Sequence, residues 1–138
     1  MDYIDIDSII SERSEHWSDF SNEDHEKVYQ ACIEVLKICK NKGIVFDESA
    51  GITFVTHLTT LYYRLFFTHE EVDIDEELSN QIEEKLQFMA KEIAHIIEKI
   101  YKKDLPTDEV FLIATHLGAM IERIKEEQNG KSKSCDRS

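Results

Sequence analysis

The sequence predicts an all-α protein, a bundle of four or five amphipathic helices, and three observations carry that expectation. Apolar residues return at intervals of three and four over most of the 138 residues, the period of a helix with one buried face. Four glycines and one proline leave little material for the turns of an all-β fold. Capping residues stand where the periodic stretches begin and end. The length suits one domain, and 41% hydrophobic with 33% charged residues can supply both a core and a solvated surface.

Taken in chain order, residues 1–21 form an N-terminal extension. Its apolar beat of Tyr3, Ile4, Ile6, Ile9 and Ile10, followed by Trp17 and Phe20, leaves room for a short helix docked on the body. Ser21 and Asp24 then have capping-box spacing, and Val28, Cys32, Val35, Leu36 and Cys39 share a face up to Gly43, which suits a helix stop. A second helix starts after Asp47 or Ser49 and runs through Ile52, Val55, Leu58, Leu61, Tyr62, Leu65 and Phe66. The acidic stretch from His69 to Asp75 ends it. Asp75 can cap the next helical stretch, in which Leu78, Ile82, Leu86, Met89, Ile93, Ile97 and Ile100 continue as one long helix or two shorter ones in line. A turn at Asp104-Leu105-Pro106-Thr107 precedes the last helix, with Thr107 as its cap and Val110, Ile113, Leu117, Met120, Ile121 and Ile124 on its apolar face. Residues 129–138, NGKSKSCDRS, are predicted to be a disordered tail.

The formal charge of −13 argues against nucleic acid, whose affinity for proteins comes mainly from Lys and Arg displacing counterions. Lys102, Lys103 and the tail residues Lys131, Lys133 and Arg137 do not make a binding stripe. Anionic membranes are disfavoured in the same way, and a basic protein surface would be attracted. The start, MDYIDIDSII, lacks the positive region and apolar core of a secretory signal, and no apolar run approaches the roughly 20 residues that span a bilayer. Cys32 and Cys39 are seven apart in a predicted helix, about 10 Å along its axis and too far for a disulfide, and Cys135 lies in the polar tail. A cytoplasmic protein is expected.

Two predicted helices share a pattern. Residues 56–64 read THLTTLYYR and residues 115–123 read THLGAMIER. In each, an arginine follows the histidine by seven, close to two helical turns, so His57 and Arg64 share a face, as do His116 and Arg123. If the two helices pack antiparallel, each histidine also approaches the other helix's arginine. Neutral imidazole offers a nucleophilic nitrogen, and guanidinium offers a fork suited to phosphate oxygens, so the pattern fits a receiver of phosphate. A packed core histidine and a surface arginine would give the same letters. The acidic stretch around His69, Glu70, Glu71 and Asp73 lacks the spaced ligands of a calcium loop, and His16, His25 and His95 have no partner at metal-ligand spacing. Tyr62, Tyr63, Phe66 and Phe67 form an aromatic run expected to fill core on one face and to leave a surplus for a dimer interface. No nucleophile–base–orienter set stands out, so no enzyme is expected.

These residues resemble the phosphotransferase-system regulation domain, or PRD. LPTDEVFLIATHL, residues 105–117, is similar to that family's second histidine motif, with Glu109 seven before His116. ITFVTHLTTLYYRL, residues 52–65, is similar to its first, and MAKEIAHIIEKIY fits the helix between them. The resemblance implies a dimerising five-helix bundle of the PRD type over residues 22–128, without cofactor, metal or enzymatic activity. It implies that His57 and His116 accept phosphate from the phosphocarrier protein of the sugar phosphotransferase system, or from the B component of a sugar permease. Arg64, Arg123 and Glu109 would be their neighbours. Thr56 stands where family members often have Asp. Only about twenty residues precede the bundle, so a stand-alone PRD is expected, without its own nucleic-acid-binding domain and acting through a separate regulator protein. The alternative is a constitutive helical interaction or scaffold module that keeps the fold without phosphotransfer.

Overall fold

A computed structural model describes the backbone of residues 5–71, 77 and 81–137, and the side chains of that set except those of residues 123, 124 and 127–137. Three of its helices begin where a side-chain oxygen takes up a free N–H group of the first turn. α1 spans Ile6–Arg13, and the Ser8 N–H donates to the Asp5 carboxylate at 3.1 Å. α2 spans Asn22–Asn41 behind the expected capping box. The Asp24 N–H donates to Ser21 Oγ at 3.2 Å and the Ser21 N–H donates to the Asp24 carboxylate at 2.9 Å. It stops where Gly43 takes a φ of 83°, open to glycine at no steric cost. α3 spans Glu48–Tyr63, with Asp47 as its cap, and continues into a wider π turn over Arg64–Thr68 that His69 closes at φ 56°. α4 spans Glu84–Tyr101 and α5 spans Thr107–Arg137. Among the described residues there are five α-helices and no strand, which makes this an all-α fold of the expected type.

α4 begins at Glu84 because Glu83 is extended at ψ 141°, which breaks the single long helix and leaves the expected alternative of shorter helices in line. Two details differ from the sequence expectation. Asp75 and Leu78 lie outside the described residues. Thr107 is the first residue of α5 rather than its cap; the Pro106 carbonyl accepts from the N–H groups of Glu109 and Val110, and proline's missing N–H costs nothing at such a start. The backbone of α5 also runs on as helix through the segment expected to be a disordered tail, whose side chains are not described. That segment holds one helix-weakening glycine, Gly130, and no proline to break the hydrogen-bond ladder.

α4 packs between α2 and α5, while α3 is packed by α1, α2 and α5. The apolar faces meet in one core. Val28, Cys32, Val35 and Cys39 of α2, Leu58 of α3, Ile93 and Ile97 of α4, and Leu117 of α5 are all almost completely buried. Cys32 and Cys39 are free thiols, as their helical spacing requires. Burial pushes the Cys39 thiol up to about 12 and the Cys32 thiol higher still. The extension is part of this core, since Ile6 and Ile10 of α1 are buried. Its Trp17 stacks on Tyr63 at 3.8 Å, and Phe20 meets the edge of Tyr62 at 5.9 Å. Tyr62 itself packs against Tyr101 at 4.9 Å. Of the aromatic run, Tyr63 stacks on Trp17 and Phe67 meets Phe20 of the same chain.

Candidate functional site

His57 sits in the middle of α3 and His116 in the first third of α5. Their rings stack, with centroids 3.8 Å apart and planes inclined by 29°. Seven residues on from His57 stands Arg64, and seven residues back from His116 stands Glu109. These two also meet, through Arg64 Nη2 at 2.7 Å and Nε at 3.0 Å on the two oxygens of one carboxylate. A pair at 57 and 116 and another at 64 and 109 mean that α3 and α5 run antiparallel, matched residue against residue over two turns. The two histidine patterns lie face to face.

The electrostatics follow from this register. The Arg64 and Glu109 side chains are 17% and 3% exposed, so the fork-to-fork ion pair is largely out of water, where each partner depends on the other. Both rings are half-buried. Burial first, then the charges of Arg64 and Arg13, hold His57 below the ordinary imidazole range. Burial, the facing His57 and Arg64 bring His116 down to about 4. Near neutral pH the site is therefore a stack of two uncharged imidazoles beside a closed ion pair. His116 Nε2 is buried without a hydrogen-bond partner among the described residues. No such orphaned atom is found on His57, which faces a small cavity of about 130 Å3 shared with His116 and walled by Ala50, Phe54 and Met120.

Arg64 and Glu109, expected beside the histidines, are there, and they are bound to one another. His57 and His116, expected as separate acceptors, touch. The Arg123 side chain lies outside the described residues. Sequence reasoning missed Arg13. Its Nε donates to Thr60 Oγ1 at 2.9 Å, one turn beyond His57, and its guanidinium lies over the Trp17 ring at 4.5 Å. The apolar beat of the extension hinted at docking, but no local pattern pairs residue 13 with residue 60.

Other polar groups have ordinary surroundings. His25 Nε2 lies 2.9 Å from the Asp7 carboxylate on the surface. Among the described residues, no group of three or more His, Cys, Asp or Glu is placed to hold a metal ion, and no helix is long and apolar enough to cross a membrane.

The family profile of the PRD domain matches residues 34–120, which take in α3, α4, both histidines, Arg64 and Glu109. The chain belongs to the PRD family. No curated protein and no solved structure matches it. PRD is a regulatory domain family. In this PRD the match begins within α2 and ends at Met120, so α1, Arg13 and Trp17 lie outside the matched part although they pack on it.

Proposed function

We propose that this PRD is a histidine-phosphorylated regulatory module of the sugar phosphotransferase system, acting in the cytoplasm by changing its self-association or its choice of a regulator partner. The observation that carries the reading is the stacked, uncharged His57–His116 pair. An imidazole acts as nucleophile only when a ring nitrogen keeps its lone pair, and both rings are held in that state. In the transfer, a ring lone pair forms the new P–N bond while the bond from phosphorus to the donor atom breaks, its electron pair staying on the donor. The proton on the other ring nitrogen goes to solvent, matched by the one the departing donor group takes up. The donor is the phosphocarrier protein or the B component of a sugar permease.

The output follows from the stack. A phosphoryl group brings close to two negative charges against a ring 3.8 Å away. The neighbouring imidazole then gains by taking a proton, so a neutral apolar contact becomes an ion pair with a different geometry. The α3–α5 packing is the two-state element that the modification biases. Because His116 Nε2 is buried, His57 is the ring a donor reaches first.

Incubation with the phosphocarrier relay and labelled phosphoenolpyruvate tests this. Label is expected on the wild type and not on a His57→Ala/His116→Ala variant, with sedimentation changing on phosphorylation. An unlabelled wild type refutes the reading. A second reading, a constitutive interaction module, draws on one observation. Neither imidazole has an orienting carboxylate among the described residues, since Glu109 is spent on Arg64 and Thr56 stands where an acid is common. In that case partner binding would ignore the phosphorylation state.

A further inference from the structure

We propose that Arg13, carried by α1 from outside the family match, forms with Thr60 a phosphate-binding subsite for the phosphoryl group on His57. The inference rests on the phosphotransfer reading above and adds the group that meets the incoming charge.

Transfer to His57 requires a cation beside the ring, because the donor's phosphoryl oxygens would otherwise enter a chain of formal charge −13 without compensation. Arg64 is the nearest candidate by sequence, but its Nε and Nη2 are both committed to the Glu109 carboxylate, whose charge cancels its own. Arg13 is differently placed. Its sole described hydrogen bond uses Nε, donated to the neutral Thr60 Oγ1 at 2.9 Å. Among the described residues both terminal nitrogens remain for an anion, and no carboxylate is paired with the guanidinium. Thr60 lies three residues after His57, so the anchor and the imidazole share a face of α3.

The surroundings make the position specific. The Arg13 guanidinium carbon lies over the Trp17 ring, 4.5 Å from its centroid, and Trp17 is itself stacked on Tyr63 at 3.8 Å with planes only 6° apart. This contact, backed by the Trp17–Tyr63 stack on α3, holds the guanidinium without consuming its outer donors. Thr60 Oγ1 in turn donates to the Thr56 carbonyl at 2.9 Å, which fixes the hydroxyl that Arg13 uses. The charge is felt at the ring: after burial and Arg64, Arg13 adds to the downward displacement of the His57 titration. The same cation would pair with the phosphoryl dianion after transfer.

The test compares full-length wild type, Arg13→Met, Arg13→Lys and Thr60→Val. Each receives label from the phosphocarrier relay, and each histidine is quantified by peptide mass spectrometry. In parallel, the imidazole C2 protons are titrated by NMR without phosphate. Arg13→Met is expected to lower the initial rate at His57 by about tenfold and to raise the His57 titration midpoint, with His116 little changed. Arg13→Lys restores the midpoint and part of the rate, because it keeps charge but not the planar fork. Thr60→Val, nearly isosteric, slows His57 labelling without altering the cation and serves if Arg13→Met does not fold. Wild-type rates at His57 in both Arg13→Met and Thr60→Val overturn the subsite and leave the phosphotransfer reading standing. No label at His57 in the wild type overturns the subsite, and no label at either histidine overturns the phosphotransfer reading as well.

Discussion

Acidification should destabilise this protein through His116 before its carboxylates protonate. The folded ring titrates near 4 instead of its ordinary 6.5, so over that interval the unfolded chain binds a proton that the folded chain refuses. Stability from this group is therefore complete above about pH 6.5 and is lost as pH falls towards about pH 4. The full displacement corresponds to about 3 kcal/mol. The ring is half-buried rather than sealed, and solvent screens part of that, leaving about 1 kcal/mol expected by about pH 5.5. That pH also keeps the chain clear of its isoelectric point near 4.8. Urea unfolding of wild type and His116→Asn at about pH 7.5 and about pH 5.5 isolates the effect, because the other titrating groups are common to both. The wild type should lose about 1 kcal/mol more than the variant on acidification. Parallel losses, or a His116 C2 proton that titrates at 6 or above by NMR, would refute the stacked, desolvated pair as the cause.

Further outcomes concern the groups that hold the site in place. Glu109→Ala should cost about 2–3 kcal/mol by leaving Arg64 unpaired, while Arg64→Met/Glu109→Met should recover most of that loss in chemical denaturation. Ile10→Ala, at a fully buried position of α1, should cost about 2–4 kcal/mol, and an unchanged denaturation midpoint would show that the extension is not part of the core. Trp17→Ala should cost about 1–2 kcal/mol and raise the His57 titration midpoint by loosening Arg13. Cys32 and Cys39 should resist a thiol reagent in the native protein and react on unfolding, since both are buried with thiols held far above neutral pH.

Much of this structure is legible in local letters. Ser21 with Asp24, Asp47 and Gly43 mark helix ends through groups within four residues of each other, so they are readable without knowing the fold. The recurrence of Thr-His-Leu with arginine seven later likewise needs only the helical repeat. The interrupted start of α4 is less legible, because an apolar beat at threes and fours continues across Ile82 and Glu83 whether or not the backbone does. The aromatic run shows which residues seek burial but not against what. Trp17 and Phe20, from the extension, are what two of its rings, Tyr63 and Phe67, meet.

The sequence by itself determined that the chain is helical, acidic and equipped with two similar histidine-bearing helices, because those properties depend on neighbours no more than about two turns away. Only the tertiary structure decided that the two imidazoles stack, that Arg64 binds Glu109 across the interface, and that Arg13 reaches α3 from 47 residues upstream of its partner. The reason is geometric. The facing register of two helices is set by the packing of whole apolar faces, and with it the desolvation that keeps His57 and His116 uncharged.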